Sequence, residues 1–417
     1  MKQGYKQTEI GVIPEEWKYT IWEEVGSGFS SGATPYRAIQ KYYNGNIKWV
    51  SSGELNYNVI FDTIEHISEE ARIKTNLKIH PANTFLMAIT GLEAAGTRGS
   101  CAILGTPATT NQSCMAIYGS EELDVKYLFY FYVKNGDELA IKFCQGTKQQ
   151  SYTASIVKKL PIVLPTYPEQ ERIVEALSDV DNMIISLEKL IAKKKAIKQG
   201  AMQELLTGKK RLPGFSGEWD DYVVGKMGDF YSGLSGKSKK DFDCGEAHFI
   251  TFLNVLSNVK IDISILASVD VKENEFQNVV KKGDLFFNTS SETPEEVGMC
   301  AVLDEELDNT YLNSFCFGFR LNDDTHAPLF LSYYLNGSIG RKIMSVLAQG
   351  ATRYNLSKSN FAETVIKLPS KEEQTAIASI LSDMDSEIEA LEEKLEKTRQ
   401  VKQGMMQELL TGRIRLV

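Results

Sequence analysis

Two stretches of the chain carry apolar residues at alternating four- and three-residue spacing. The first is Ile173, Leu177, Val180, Ile184, Leu187 and Ile191; the second is Ile377, Leu381, Met384, Ile388, Leu391 and Leu395. So narrow a seam is the signature of a coiled-coil helix. Each stretch opens with a capping box, Thr166-x-x-Glu169 and Ser370-x-x-Glu373. There the hydroxyl accepts from the third helical N–H and the carboxylate returns to the N–H of the cap. Each closes on Thr-Gly, at 207–208 and 411–412, with the glycine placed for the left-handed C′ conformation. Between these signals lie about 40 residues, or ~60 Å of helix. Charged flanks read as solvated faces, but their balance differs. Lys193, Lys194, Lys195 and Lys198 make the first helix basic, and Glu389, Glu392, Glu393 and Glu396 make the second acidic. That difference favours pairing of the two helices with each other. Gly200 and Gly404 occupy matching mid-helix sites at a cost of ~1 kcal/mol each, and mark a close approach or a bend.

The chain is written twice. Residues 145–212 align without a gap with residues 349–416, ending in KQGAMQELLTGKKRL against KQGMMQELLTGRIRL. Upstream the echo is faint: Trp17 and Trp219, each followed by Gly26 or Gly228; CAIL (101–104) and CAVL (300–303); NQSC (111–114) and NSFC (313–316). Two diverged heads thus alternate with two preserved connectors. The segmentation is 1–165 for head one, 166–212 for the first helix, 213–368 for head two and 369–417 for the second helix.

The heads read as α+β. NIKWVSS (46–52), NTFLMAIT (83–90), CAIL, HFITFLNV (248–255), GDLFFNTS (283–290) and FCFGFRL (315–321) are β-like runs between Gly, Ser, Thr and Asn. Residues 124–144 and 327–348 read as helical. Loops rich in Ser, Thr, Asn, Gln and Arg suit contacts with base edges and phosphates, although any mixed globule carries such loops.

Connectivity extends the picture. The first helix carries the chain ~60 Å from head one to head two. The second must bury its stripe, and packing back antiparallel along the first needs only a reversal through head two. The expected architecture is a dumbbell: two heads on an antiparallel coiled-coil rod, with pseudo-two-fold symmetry.

Composition changes this little. The 417 residues are 42% hydrophobic and 24% charged, ordinary for a globular protein. No apolar run is long enough to span a membrane, and the first residues lack a signal-peptide core, so a cytoplasmic location is expected. Six scattered cysteines form no C-x-x-C pair, which fits free thiols in a reducing compartment. A net charge of −9 opposes nucleic-acid binding on average, without forbidding local basic faces. Catalytic motifs are missing: there is no Pro-Pro for an N-P-P-F motif, no H-E-x-x-H and no G-x-S-x-G. SGLSGKSKK (232–240) has Tyr231 where a phosphate loop needs glycine, so it reads as a basic flexible loop. Four histidines (His66, His80, His248, His326) are too dispersed to suggest a metal site.

The alternation head–helix–head–helix, the W-x-x-x-x-L/V-G-like starts at Trp17 and Trp219, the L-P-x-x-x-E-Q junctions (164–170 and 368–374) and the Q-E-L-L-T-G ends (203–208 and 407–412) resemble the specificity (S) subunit of type I restriction-modification systems. The resemblance covers essentially the whole chain. It implies that each head is a target recognition domain reading one half of a split, asymmetric double-stranded DNA site. The helices would set the spacer and dock two methyltransferase subunits, and restriction/translocase subunits would join through those. It implies no catalysis in this chain, and no cofactor: S-adenosylmethionine, ATP and magnesium belong to the partners. The rival reading is a coiled-coil scaffold holding two protein-binding globules.

On this reading, candidate DNA contacts in head one are Tyr36, Arg37, Lys41, Ser51, Arg98, Lys148 and Gln149. In head two they are Lys237, Lys239, Lys240, Asn288, Ser290, Arg353 and Asn355. All lie in polar segments after strands or after the shared Gln-Gly (145–146, 349–350). Candidate partner-docking residues, off the seam and matched in both copies, are Met202, Glu204 and Leu205 with Met406, Glu408 and Leu409.

Overall fold

A computed structural model describes residues 4–416, apart from 94–95, 147–149, 273 and 351. The chain forms two compact units. One comprises residues 1–188 with 394–417, the other residues 189–393.

In the first unit a five-stranded sheet runs in the order Gly28–Ser31, Cys114–Tyr118, Phe85–Ala88, Cys101–Leu104, Asn58–Ile60. All its pairings are antiparallel except the last. A smaller sheet orders Thr109–Thr110, Ile47–Val50 and Glu65–Ile67, the first pair parallel. The second unit repeats both. Its larger sheet orders Gly228–Ser232, Cys316–Leu321, Leu285–Asn288 and Cys300–Val302. Its smaller sheet orders Thr310–Leu312, Phe242–Ile250 and Ala267–Val269, again with the first pair parallel. The central strands of the larger sheets are enclosed on both faces, which accounts for their apolar runs: every residue of Phe85–Ala88 and of Leu285–Asn288 is buried.

The β-like runs form strands with one correction. HFITFLNV is a strand only to Ile250; Thr251 then accepts from the Asn254 N–H and starts the helix Phe252–Ser257. A threonine hydroxyl that caps a helix overrides the β-propensity of the residues that follow. The helical segments also differ between copies. Val125–Phe143 is one helix, whereas Gly337 divides its counterpart into Pro328–Asn336 and Ser338–Leu347.

Tyr167–Leu205 and Lys371–Leu409 are the two long helices, each of 39 residues. Gly208 and Gly412 follow them with φ of +69° and +67°, the left-handed exit expected from their position. Within each unit the helices run antiparallel. In the first, Lys402 reaches Asp181 at 2.6 Å and Arg399 reaches Glu188 at 2.7 Å. In the second, Lys198 reaches Asp385, Lys195 reaches Glu392 at 2.7 Å and Lys194 reaches Glu387 at 2.6 Å. The basic stretch therefore meets the acidic one, as the charge balance predicts. Gly200 and Gly404 mark no close approach: a Cβ at either would meet nothing within 4 Å.

The shared junction motif acts as a clamp in both units. Glu169 and Glu373 do not return to their caps as a capping box requires. Each is 1% exposed and is gripped by an arginine from the tail after the other helix. Arg415 donates to Glu169 at 2.6 and 2.9 Å, and the Nε of Arg211 donates to Glu373 at 2.7 Å. A bidentate guanidinium binds a buried carboxylate more strongly than a lone N–H does, so the cap loses its partner. These hydrogen bonds raise both arginine pKa values. The next residue ties the helix start to its head. Gln170 accepts from the Asp124 N–H at 3.0 Å and Gln374 from the Ala327 N–H at 3.0 Å. About three turns further along each helix, Tyr130 donates to Asp181 and Tyr333 to Asp385, both at 2.7 Å. Burial and then the carboxylate push both phenols well above their ordinary pKa, so they remain donors.

Candidate nucleic-acid interface

The same three loop segments meet in each head, joined by the same backbone hydrogen bonds. The turn 111–113 is held to the smaller sheet where the Asn111 N–H donates to the Val50 carbonyl at 2.8 Å; Asn313 donates to Ile250 at 3.1 Å. The turn then accepts from the segment after the central strand, Ile89 to Ser113 at 2.9 Å and Thr289 to Phe315 at 3.0 Å. That segment accepts from the loop beyond the shared Gln-Gly, Tyr152 to Ile89 at 2.8 Å and Leu356 to Thr289 at 2.9 Å. Thr90 faces Ser151 in one head, and Ser290 faces Asn355 in the other. Each turn is an Asx turn, with the Ser113 N–H donating to Asn111 Oδ1 at 3.0 Å and the Phe315 N–H to Asn313 Oδ1 at 2.9 Å. These bonds use main-chain groups and one asparagine, so the side chains that project from the frame are free to differ.

A fourth segment leaves each frame through a glycine that nothing larger can replace. A Cβ at Gly32 would lie 1.8 Å from the Thr110 carbonyl oxygen, and one at Gly233 would lie 1.9 Å from that of Asn313. The insertions that follow carry most of the basic candidates. In head one Tyr36 is 70% exposed. Arg37 donates to both oxygens of Glu65 and lies 4.4 Å from the Tyr43 ring centroid and 5.0 Å from that of Trp49. The Glu65 hydrogen bond raises the Arg37 pKa and lowers that of its partner. Lys41 pairs with Glu70 at 2.8 Å. In head two the insertion is not a loose loop. Lys237 is nearly buried, donating to the Asp270 carbonyl at 2.5 Å and to Glu275, and Ser238 with Asp241 forms a capping box for the turn Lys239–Asp241. Lys239 and Lys240 are exposed.

The remaining candidates divide by burial. Asn288 is fully enclosed: its amide donates to the Glu296 carbonyl at 2.8 Å and its oxygen accepts from the Met299 N–H at 2.6 Å. Ser290 is also buried, at 5% exposure. The Ser51 hydroxyl donates to Glu54 at 2.8 Å in a second short capping box. Arg98 donates to Asp137 at 2.9 Å. Arg353 and Asn355 are exposed at the frame of head two. Lys148 and Gln149 lie outside the described residues. Sequence reading passed over Ser113 and Phe315, although the paired NQSC and NSFC were the signal that could have found them.

Of the docking candidates, Leu205 joins the apolar core of the second unit, with Met202 packed against it, and Met406 and Leu409 join that of the first. Glu204 is exposed and Glu408 half-buried. Leu205, Met406 and Leu409 lie off the seam because they face the core of their own unit. The exposed residues that are identical in both helices are others: Asp179 with Asp383, Glu188 with Glu392 and Lys193 with Lys397, and, clustered near the helix ends, Gln199 with Gln403, Gly200 with Gly404 and Gln203 with Gln407. Burial pushes the thiols of Cys101, Cys114, Cys300 and Cys316 up, the last to about 12, as inert core cysteines.

A family model described as the type I restriction modification DNA specificity domain matches residues 14–199 and again 217–399. The specificity subunit of the type I restriction enzyme MjaIX of Methanocaldococcus jannaschii is 30% identical over 184 residues, which span 43% of this chain and 41% of that one. A provisionally named MjaX specificity subunit of the same organism is 24% identical over 442 residues, covering 100% of this chain and 97% of that one. Among solved structures, the S subunit of a type I restriction-modification system from M. genitalium superposes with a TM-score of 0.58 over 98% of this chain and 99% of its own, at 16% identity. That last likeness is one of fold. With two matches that together span most of its length, the chain belongs to the type I restriction modification DNA specificity family and carries two of its domains.

Proposed function

We propose that each head reads one half of a bipartite, asymmetric DNA site, and that the long helices fix the spacer between the halves. Support comes above all from one observation: both heads build the same hydrogen-bonded loop frame but mount different side chains on it, Ser113 and Ser151 against Phe315 and Asn355. Equal frames suit one kind of ligand, and unequal projecting groups suit two different sequences of it. Arg37, oriented by Glu65, and the exposed Lys239, Lys240, Arg353 and Asn355 supply base-edge and phosphate donors beside it.

The helices dock two methyltransferase subunits, one per copy. Gln199, Gly200 and Gln203 recur unchanged as Gln403, Gly404 and Gln407 although none is buried. Core packing gives no reason for that identity, whereas two copies of one partner do. Restriction/translocase subunits join through the methyltransferases, and catalysis with its S-adenosylmethionine, ATP and magnesium resides in the partners. The test is co-expression with a methyltransferase subunit encoded beside it, with methylated adenines mapped by single-molecule sequencing. A split motif that disappears without this chain is expected. Methylation indifferent to it would leave a scaffold without a DNA role.

A further inference from the structure

Resting on the DNA-reading proposal, we infer that Phe315 is a specificity-determining residue of head two, contacting the 5-methyl group of one thymine in the major groove. The residue is an anomaly among the projecting groups of the frame. It is 59% exposed, whereas Phe317, two residues on, is fully buried. The ring thus stands on the outer side of the frame, among polar projecting groups, where a ligand of the frame can meet it.

The backbone of Phe315 is also held more firmly than the corresponding residue of head one. Its N–H donates to Asn313, and its carbonyl accepts from both the Thr289 N–H at 3.0 Å and the Thr289 hydroxyl at 2.8 Å. Ser113 has the first two bonds, but Ile89 stands where Thr289 provides the third. Asn288 further braces Thr289 through its bonds to Glu296 and Met299. A ring mounted on so constrained a turn is directed rather than free to fold back onto the surface.

The frame around it is polar, with Asn355 paired in register with Ser290, and Arg353 exposed two residues before Asn355. Those groups suit hydrogen bonds to base edges. The only apolar feature that base pairs present in the major groove is the thymine methyl, and an aromatic ring among polar readers fits that contact. The position in head one is Ser113, a group suited to hydrogen bonding, so the two frames differ in kind at this point.

The experiment uses the full chain assembled with its methyltransferase subunits. Methylation rates are measured on duplexes in which deoxyuridine replaces each thymidine of the site in turn. For the natural chain, one replacement should lower the rate about three- to tenfold, the worth of a single buried methyl at a base contact. Phe315→Ala should lose discrimination at that same position only, and Phe315→Leu should retain part of it. Because the side chain is exposed, thermal unfolding of both variants should match that of the natural chain. If the natural assembly methylates no motif that depends on this chain, the DNA-reading proposal itself fails. If it reads a split motif but Phe315→Ala leaves every position unchanged, only this inference falls. Equal uridine effects in chain and variant, or a site without a methyl-sensitive thymidine, would overturn it in the same way.

Discussion

The two heads share their wiring and differ in what hangs from it. In head one the frame presents Ser113, Thr90 and Ser151; in head two it presents Phe315 and Asn355 and buries Ser290, with Thr289 and Asn288 adding side-chain bonds that Ile89 and Ala88 cannot make. The junctions behave oppositely. Glu169 and Glu373, Gln170 and Gln374, Asp181 and Asp385, Tyr130 and Tyr333 repeat both identity and partner. Within the heads, duplicated sequence therefore diverges where a side chain projects from the frame; at the junctions it persists where a side chain holds the helix to its own head or to the tail of the other helix.

That contrast can be broken at several points. The largest effect is expected at the clamps. Arg211→Ala leaves the buried Glu373 carboxylate without its partner and should destabilise the second unit by about 3–5 kcal/mol in denaturant unfolding. Arg415→Ala should cost the first unit about 1 kcal/mol less, since the Trp17 indole N–H still donates to Glu169 at 3.2 Å. Its counterpart Trp219 has an enclosed N–H with no hydrogen-bond partner among the described residues. Equal losses in the two variants would remove this distinction.

Next come the phenols. Tyr130→Phe and Tyr333→Phe each delete a hydrogen bond to a carboxylate and should cost about 1.5–3 kcal/mol. Similar values in both would support an equivalent register of helix pairing, and a null effect in one would show that its helix is held by other contacts.

Smaller, and opposite in sign, is Gly200→Ala or Gly404→Ala. Open space around each glycine means that alanine should stabilise the isolated chain by about 1 kcal/mol. If the exposed identical residues form the docking facet, the same change should weaken co-purification with the methyltransferase subunit. Stabilisation with unchanged assembly would place docking elsewhere. Smallest in stability is Lys239→Ala or Lys240→Ala, which should leave unfolding within about 0.5 kcal/mol. Removing a lysine that neutralises a phosphate should reduce the salt slope of DNA binding by about 1.

The elements were legible where periodicity is long or strands are short and apolar. The 4-3 seam defines both 39-residue helices, and the β-like runs mark the strands. Glu169 and Glu373 misled because a capping box and a buried ion pair look identical until the distant arginine is seen, and Arg415 follows Glu169 by most of the chain. Leu205, Met406 and Leu409 misled for a related reason: a residue off the seam is assigned to the outside unless the packed head is known. Among the DNA candidates, residue type alone cannot separate Asn288, enclosed by its own bonds, from exposed Asn355. Side-chain chemistry was readable from the sequence, but three-dimensional accessibility was not.

The most direct test of two like frames reading two unlike half-sites is a methylation map of the assembled complex, natural and with Arg353→Ala plus Asn355→Ala. The natural complex should methylate a split motif with unequal halves, and the double variant should relax or abolish specificity in one half while leaving the other intact. A single continuous motif, equal changes in both halves, or a map indifferent to the chain would contradict the account.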